Sequence, residues 1–239
     1  MWFFAIIAAA VVALAHTAPA PFLLDAMAGD RAVWNMPRGA PPTLYLTYDD
    51  GPNPTTTPDL LDVLAREGVH ATFFLIDEHL TEETAPIVRR MFADGHAVGL
   101  HSATRRHMIM TPERLARTLT GAADRIEQLA GTRPCRAFRP HAGWRSGQMF
   151  DGLAQIDYQL VGWGWMLWDF NWLRARTADS TFGRILRRAS PGDIVVIHDG
   201  DESAPRRDQR HAVDATARLV PALRARGFGF GTVCRNGGI

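Results

Sequence analysis

The chain has 239 residues, 46% of them apolar and 21% charged, which is enough to bury a sizeable core within one domain. The formal net charge of +1 excludes the electrostatic footprint of a nucleic-acid binder, and basic runs such as PRRDQR at residues 205–210 are short, broken by acids, and read as solvated surface. No low-complexity segment and no repeat longer than a strand–helix unit is present.

In chain order, the first feature is an uncharged apolar run, WFFAIIAAAVVALA, at residues 2–15. It is shorter than the roughly 20 residues a membrane span needs. It suits the core of a signal peptide, with Ala13-Leu14-Ala15 or Ala18-Pro19-Ala20 as a small-residue cleavage site. No Lys or Arg precedes it, so an uncleaved membrane anchor is the rival and an ordinary buried helix the third reading. Residues 1–20 are thus expected to direct the remainder outside the cytoplasm, secreted or tethered to a membrane. Residues 21–42, which include the Pro-rich NMPRGAPP, are expected to be a linker, and residues 43–239 a single domain.

From Thr43 a regular alternation begins. Strand-like apolar runs fall at about 43–48, 71–76, 97–101, 136–139, 158–163, 193–198 and 228–233, with helical patterns between them. One helix opens at Thr57-Pro58, carries Leu60, Leu61 and Leu64, and stops at Gly68. Another has Thr111 as N-cap and Pro112 at its first position; Leu115, Leu119, Ala122, Ile126 and Leu129 repeat at steps of three and four, and Gly131 closes it. Seven such units imply an α/β fold with a parallel sheet, closed as a TIM-like barrel of seven strands; a doubly wound open sheet is the alternative. Cys135 opens one expected strand and Cys234 closes another. In a parallel barrel those are opposite ends, so two separate thiols are expected, although an exported protein could bridge them.

Residues at the C-terminal ends of barrel strands face the active-site mouth. That rule gathers Asp49 and Asp50 after the first strand, His101 after the third, Arg139 after the fourth, Asp169 after the fifth, and His198 with Asp199 after the sixth. Adjacent carboxylates on a strand point in different directions, so one can hold a cation while the other stays free as a base. A divalent metal on Asp and His makes a water acidic, Asp49 could take its proton, His198 could protonate a leaving group, and Arg139 could fix a carboxylate. These parts describe metal-assisted hydrolysis of an acyl group.

At these residues the sequence resembles the polysaccharide deacetylase family (the NodB-homology group, carbohydrate esterase family 4), from about Thr43 to the C-terminus. TYDDGP is similar to the family's T-F-D-D-G-P, HS at His101-Ser102 to the start of H-[ST]-x-x-H, FRPHAG to R-P-P-Y-G, and VVIHDG to the last motif. The resemblance implies a distorted (β/α)7 barrel. It implies Asp49 as catalytic base, Asp50 and His101 as ligands of a divalent metal, expected to be zinc, and Arg139 as partner of the base. It further implies the backbone N–H of Ala142 as oxyanion donor and His198 as general acid, with Asp169 the candidate to orient it.

Some residues depart from the pattern. Arg105 stands where the second histidine should fall, which leaves His107 or His141 as the candidate third ligand. Ala142 replaces the tyrosine of the third motif, and Asn171-Trp172 stands where Asp-Trp is usual. The remaining histidines, His16, His70, His79, His96 and His211, suggest no partner. Trp163 and Trp165 read as barrel core, whereas Trp144, Trp168 and Trp172 lie in mouth loops and could stack on a sugar ring. The expected function is removal of acetyl groups from an N-acetylated glycan by a monomer with no nucleic-acid partner. A glycan-binding barrel with an incomplete metal site and an O-acetyl esterase are the alternatives.

Overall fold

The run TLYLTYDDG carries alternating side chains that must satisfy two different surroundings, and the structure shows both. In the computed structural model, which describes residues 3–7, 31–164, 167–169 and 175–234, strand β2 (Thr43–Gly51) lies within a parallel sheet, paired along both edges. Leu44, Leu46 and Tyr48 face outward into the main apolar cluster beneath the helices, while Tyr45 belongs to a second, interior cluster with Phe74, Ala137, Val161, Trp163, Ile194 and Val196. Burying one alternate set on each face fixes the register, since a slip of one residue would exchange them.

The sheet runs β1 (Ala32–Val33), β6 (Gln159–Val161), β5 (Ala137–Arg139), β4 (Ala97–His101), β3 (Thr72–Ile76), β2, β7 (Ile194–His198), with β8 (Gly229–Phe230) paired to the start of β2. The helices are α1 (Thr57–Glu67), α2 (Ala85–Ala93), α3 (Pro112–Ala130), α4 (Gly147–Gln155), α5 (Ala178–Arg188) and α6 (Arg210–Arg224). The sheet curls until its ends meet through isolated bonds. Gly164 N donates to Ile194 O at 2.9 Å, Val196 N to Leu167 O at 2.8 Å, and Asp169 N to Val196 O at 3.2 Å. This is the distorted barrel that the seven expected strands imply, closed by a seam that lacks a full ladder.

The α3 signals act as expected. Thr111 Oγ1 accepts from Arg114 N, Gly131 ends the helix at φ 74, and Leu115, Leu119, Ala122 and Ile126 are buried. The α1 start differs. Thr57 sits inside the helix, and its hydroxyl contacts the Asp199 carboxylate and accepts from Asn53 N instead of capping the helix.

Two expectations are corrected. The stretch expected as linker, residues 21–42, contributes β1: Ala32 and Val33 pair with Leu160 and Val161, Trp34 meets Trp163 edge-on at 6.2 Å, and Met36 N donates to Gly192 O. Apolar Val33, Trp34 and Met36 cover the seam between β6 and β7, which explains why this stretch folds onto the barrel. Cys135 and Cys234 are not separate thiols but a disulfide with Cα atoms 6.2 Å apart. After its two paired residues β8 does not climb the barrel as a strand. Val233 N donates to Thr72 Oγ1 at the start of β3, so the chain crosses the N-terminal face and brings Cys234 to the same end as Cys135.

Of the apolar N-terminal run only residues 3–7 are described; they are helical, with Phe3, Phe4, Ile6 and Ile7 exposed. The cleavage-site candidates lie outside the described residues. Among the described residues no helix is long and apolar enough to cross a membrane.

Candidate active site

The site begins with the bulge that ends β2. The pairing with β3 shifts register between Asp49 and Gly51, and Asp50 adopts a left-handed conformation at φ 68. Such a backbone is costly for a non-glycine residue and needs support. Support comes from His79, whose Nδ1 donates to the Asp50 carbonyl at 3.1 Å, and from Gly200, where a Cβ atom would lie 1.9 Å from the same carbonyl oxygen. The bulge re-aims Asp50. Both neighbouring carboxylates therefore serve one mouth, where strict alternation would send them to opposite faces.

Asp49 meets Arg139 at the end of β5: the guanidinium donates to Asp49 Oδ1 at 2.6 Å and to Thr47 Oγ1 at 2.6 Å, with further bonds to Val161 O and Gly162 O. Arg139 is wholly buried, stacked 4.0 Å over the Phe74 ring. Burial pulls its pKa down and the Asp49 charge pulls it back only in part. It remains a cation, and it holds the candidate base from below in one orientation.

Asp50 Oδ1 lies 3.1 Å from His101 Nε2, and His101 Nδ1 donates to the Arg139 carbonyl at 2.7 Å. That bond fixes the ring so that Nε2 points at the carboxylate. Asp50 Oδ1 is buried without a hydrogen-bond partner. Burial alone would raise the Asp50 pKa, but contact with His101 and the charges of His198 and Arg176 bring it down to about 2. Burial pushes His101 down, and the two carboxylates more than offset this and raise it. An orphaned carboxylate oxygen facing an imidazole nitrogen fits a shared cation, so these two residues match two positions of a metal site.

The third position is unmet. Among the described residues no three of His, Cys, Asp and Glu converge. His107 donates Nδ1 to Thr104 O, and His141 lies 2.9 Å from Glu202 Oε2, so in this structure neither lies with Asp50 and His101. The turn Arg105–Ile109 holds His107, and Ser102 Oγ, just beyond β4, accepts from His141 N. Arg105 is exposed, its guanidinium 6.0 Å from the centre of the Trp144 ring.

Opposite, His198 ends β7 directly beside Asp49 in the pairing register. Its Nδ1 donates to Asp169 Oδ1 at 2.6 Å and its backbone N to Asp169 Oδ2 at 2.9 Å. Burial lowers the His198 pKa, the Asp169 carboxylate more than restores it, and the result is raised. Asp169 is fully buried; burial pushes it up, and His198, His211 and Arg176 hold it far below the usual carboxylate range. Ala142 occupies a left-handed turn at φ 50. Its neighbours' N–H groups are engaged, His141 by Ser102 Oγ, Gly143 by Pro140 O and Trp144 by His141 O. Among the described residues no acceptor engages that of Ala142.

The aromatic expectations divide. Trp144 is half-buried at the rim. Trp168 is 6% exposed and belongs to the interior cluster beside Val196, which takes it out of a sugar-stacking role because it fills the closing seam. Trp172 lies outside the described residues. Sequence reading missed His79, His211 and Arg176. It also missed that Asp199, named only as a neighbour of His198, is buried against Thr57 and has its pKa raised by that burial to about 7.

The sequence profile described as polysaccharide deacetylase matches residues 37–161. The chain belongs to this family. A chitooligosaccharide deacetylase of Sinorhizobium fredii is 35% identical over 195 residues, covering 78% of this chain and 88% of that protein. Among solved structures, a peptidoglycan N-acetylglucosamine deacetylase superposes with a TM-score of 0.72 at 26% identity, over 85% of this chain and 91% of that one. A family 4 acetyl xylan esterase of Clostridium thermocellum, solved with a cobalt ion, does so at 0.69 and 29% identity, over 80% and 88%.

Proposed function

We propose that this polysaccharide deacetylase family member hydrolyses acetyl groups from an N-acetylated glycan. The observation that carries the reading is the register pair Asp49–His198: two neighbouring strand ends present a carboxylate held by Arg139 and an imidazole held by Asp169 to one mouth. Base and acid on facing partners suit addition of water to an acetamide and departure of the amine. Asp49 takes a proton from the attacking water, and Arg139 keeps the carboxylate aimed. The Ala142 N–H meets the charge that develops on the acetyl oxygen. His198 gives its Nε2 proton to the leaving nitrogen, while Asp169 holds Nδ1. Asp50 and His101 would hold a divalent ion, with zinc the expected species, which supplies Lewis acidity to the water and the acetyl carbonyl. Because two ligands hold an ion less firmly than three, the purified protein is expected to carry little metal.

A glycan-binding barrel without catalysis is the second reading, and the lack of a third converging ligand is what favours it. The intact acid and base pairs argue against it, since binding alone needs neither. An O-acetyl esterase would use the same groups but would not need the acid. Trp144 at the rim suits a sugar face. The apolar residues 2–15 and the Cys135–Cys234 bridge support an extracytoplasmic site of action, secreted or tethered. In this reading residues 1–20 are the targeting segment, the folded domain starts near residue 31, and the protein acts as a monomer.

The acid supplies the test. Replacing His198 by Ala should cut turnover of an N-acetylated oligosaccharide by about 10²-fold or more and that of an activated aryl acetate far less, because a good leaving group needs no proton. Equal losses on both substrates would remove His198 from this role and, with it, the amide-specific reading.

A further inference from the structure

The Asp169 carboxylate has a second imidazole. His211, in the first turn of α6, places Nε2 3.2 Å from Asp169 Oδ2, the oxygen that also accepts the His198 backbone N–H; Oδ1 takes His198 Nδ1. Its side chain is 13% exposed, and that of Asp169 is fully buried. Since a carboxylate only accepts, His211 Nε2 carries the hydrogen, and Asp169 is gripped from two elements, β7 and α6.

This grip matters because of where Asp169 sits. It lies in the short seam that closes the barrel, where Asp169 N bonds Val196 O and Arg184 donates to Trp168 O, and among the described residues this segment pairs through a single isolated bridge, Trp168 with Val196. Both oxygens are already bonded by His198, the residue whose ring is to be aimed, so His211 adds the tie from a separate element, and any swing of Asp169 tilts the His198 ring.

We infer that His211 is a positioning residue for the reaction: by holding Oδ2 it keeps the Asp169 carboxylate aligned with His198 Nδ1 and so keeps His198 Nε2 aimed at the leaving group. This rests on the deacetylase reading. The charged groups that act on His198 are Asp169, Asp50 and Arg176, with His211 behind Asp169. Removing His211 lets the carboxylate drift from His198 Nδ1 and weakens the bond that favours the His198 cation, so His198 should lose its proton at lower pH.

The test compares His211→Leu with His211→Gln, whose amide can place an N–H where Nε2 stands. Two readouts are used: turnover of an N-acetylated chito-oligosaccharide against an aryl acetate, and the pH titration of the His198 imidazole by NMR in the substrate-free protein, assigned through His198→Gln. The Leu variant should lose about tenfold in kcat on the amide with KM little changed, and less than about twofold on the aryl acetate. Its His198 titration should move down by about half a pH unit. The Gln variant should recover most of both. Equal losses on the two substrates, an unmoved His198 titration, or a Gln variant as impaired as Leu would each overturn the inference. If the Leu variant does not fold, the Gln variant and its titration decide. Wild-type protein inactive on both substrates would count against the deacetylase reading alone, because the titration is read without turnover.

Discussion

Asp49 and Asp50 stand side by side because a bulge separates their tasks. The motif announces two carboxylates, and alternation along a strand predicts that they diverge. What brings both to one mouth is the left-handed conformation of Asp50, a residue type that gives no more than a weak hint of it. The roles that follow are separable. Asp49→Asn should leave the fold and the Asp50–His101 pair intact and lower acetate release by about 10²-fold or more, since general-base terms are worth about 10²–10⁴; near wild-type release would reassign the base. Arg105 is the second residue to test. It lies over Trp144, in the position where the family resemblance places a histidine. Arg105→His should tighten Zn²⁺ or Co²⁺ binding by about tenfold or more, read by calorimetry, because it supplies the missing donor. Unchanged affinity would mean that the loop keeps this position away from Asp50. The replacement of a histidine by Arg105 was legible in the sequence, whereas the surroundings of His107 and His141 were not. Their rings contact Thr104 O, three residues away, and the sequence-distant Glu202, contacts that no spacing rule reveals.

At the scale of elements, seven strands and the α3 caps could be read from period, Thr-Pro starts and Gly stops. β1 could not: two paired residues inside a Pro-rich stretch carry no periodicity, and only the gap between β6 and β7 gives them a partner. The disulfide escaped for a related reason. The apolar run at 228–233 looks like a full strand, but only Gly229 and Phe230 pair, and the rest crosses the barrel floor to Thr72 and Cys135. His211 and Asp169 are likewise joined by tertiary packing alone. The turn after β7 offers the sharpest test at this scale. A Cβ on Gly200 would lie 1.9 Å from Asp50 O, so Gly200→Ala must displace the bulge that aims Asp50. We expect loss of metal affinity and activity together with a destabilisation of about 1–3 kcal/mol, measured by calorimetry and denaturant unfolding. Retained metal affinity in a folded variant would show that the bulge does not depend on this contact.

At the scale of the whole molecule, the N-terminal end of the barrel makes stability depend on pH. At the N-terminal end His96 is buried, its Nδ1 accepts from Ala71 N, and its Nε2 has no hydrogen-bond partner; burial, with His70 nearby, pulls its pKa from 6.5 to about 4. Between those values the unfolded chain binds a proton that the folded chain refuses, so stability falls as pH drops through this window, with a slope up to about 1.4 kcal/mol per unit from this group. His96→Asn, which keeps an acceptor near Nδ1, should flatten the loss between pH 6.5 and 4 relative to wild type; parallel stability curves for the two proteins would contradict the assignment.

The most direct test concerns the C-terminal end, where the proposed chemistry resides. Purified protein should be given an N-acetylated chito-oligosaccharide with increasing Co²⁺ or Zn²⁺, and released acetate and new free amine counted together in wild type and Asp49→Asn. We expect equal amounts of acetate and amine from the wild type, rising saturably with metal, and a loss of about 10²-fold or more in the variant. No acetate from the wild type at any metal concentration, or equal release by the variant, would contradict it.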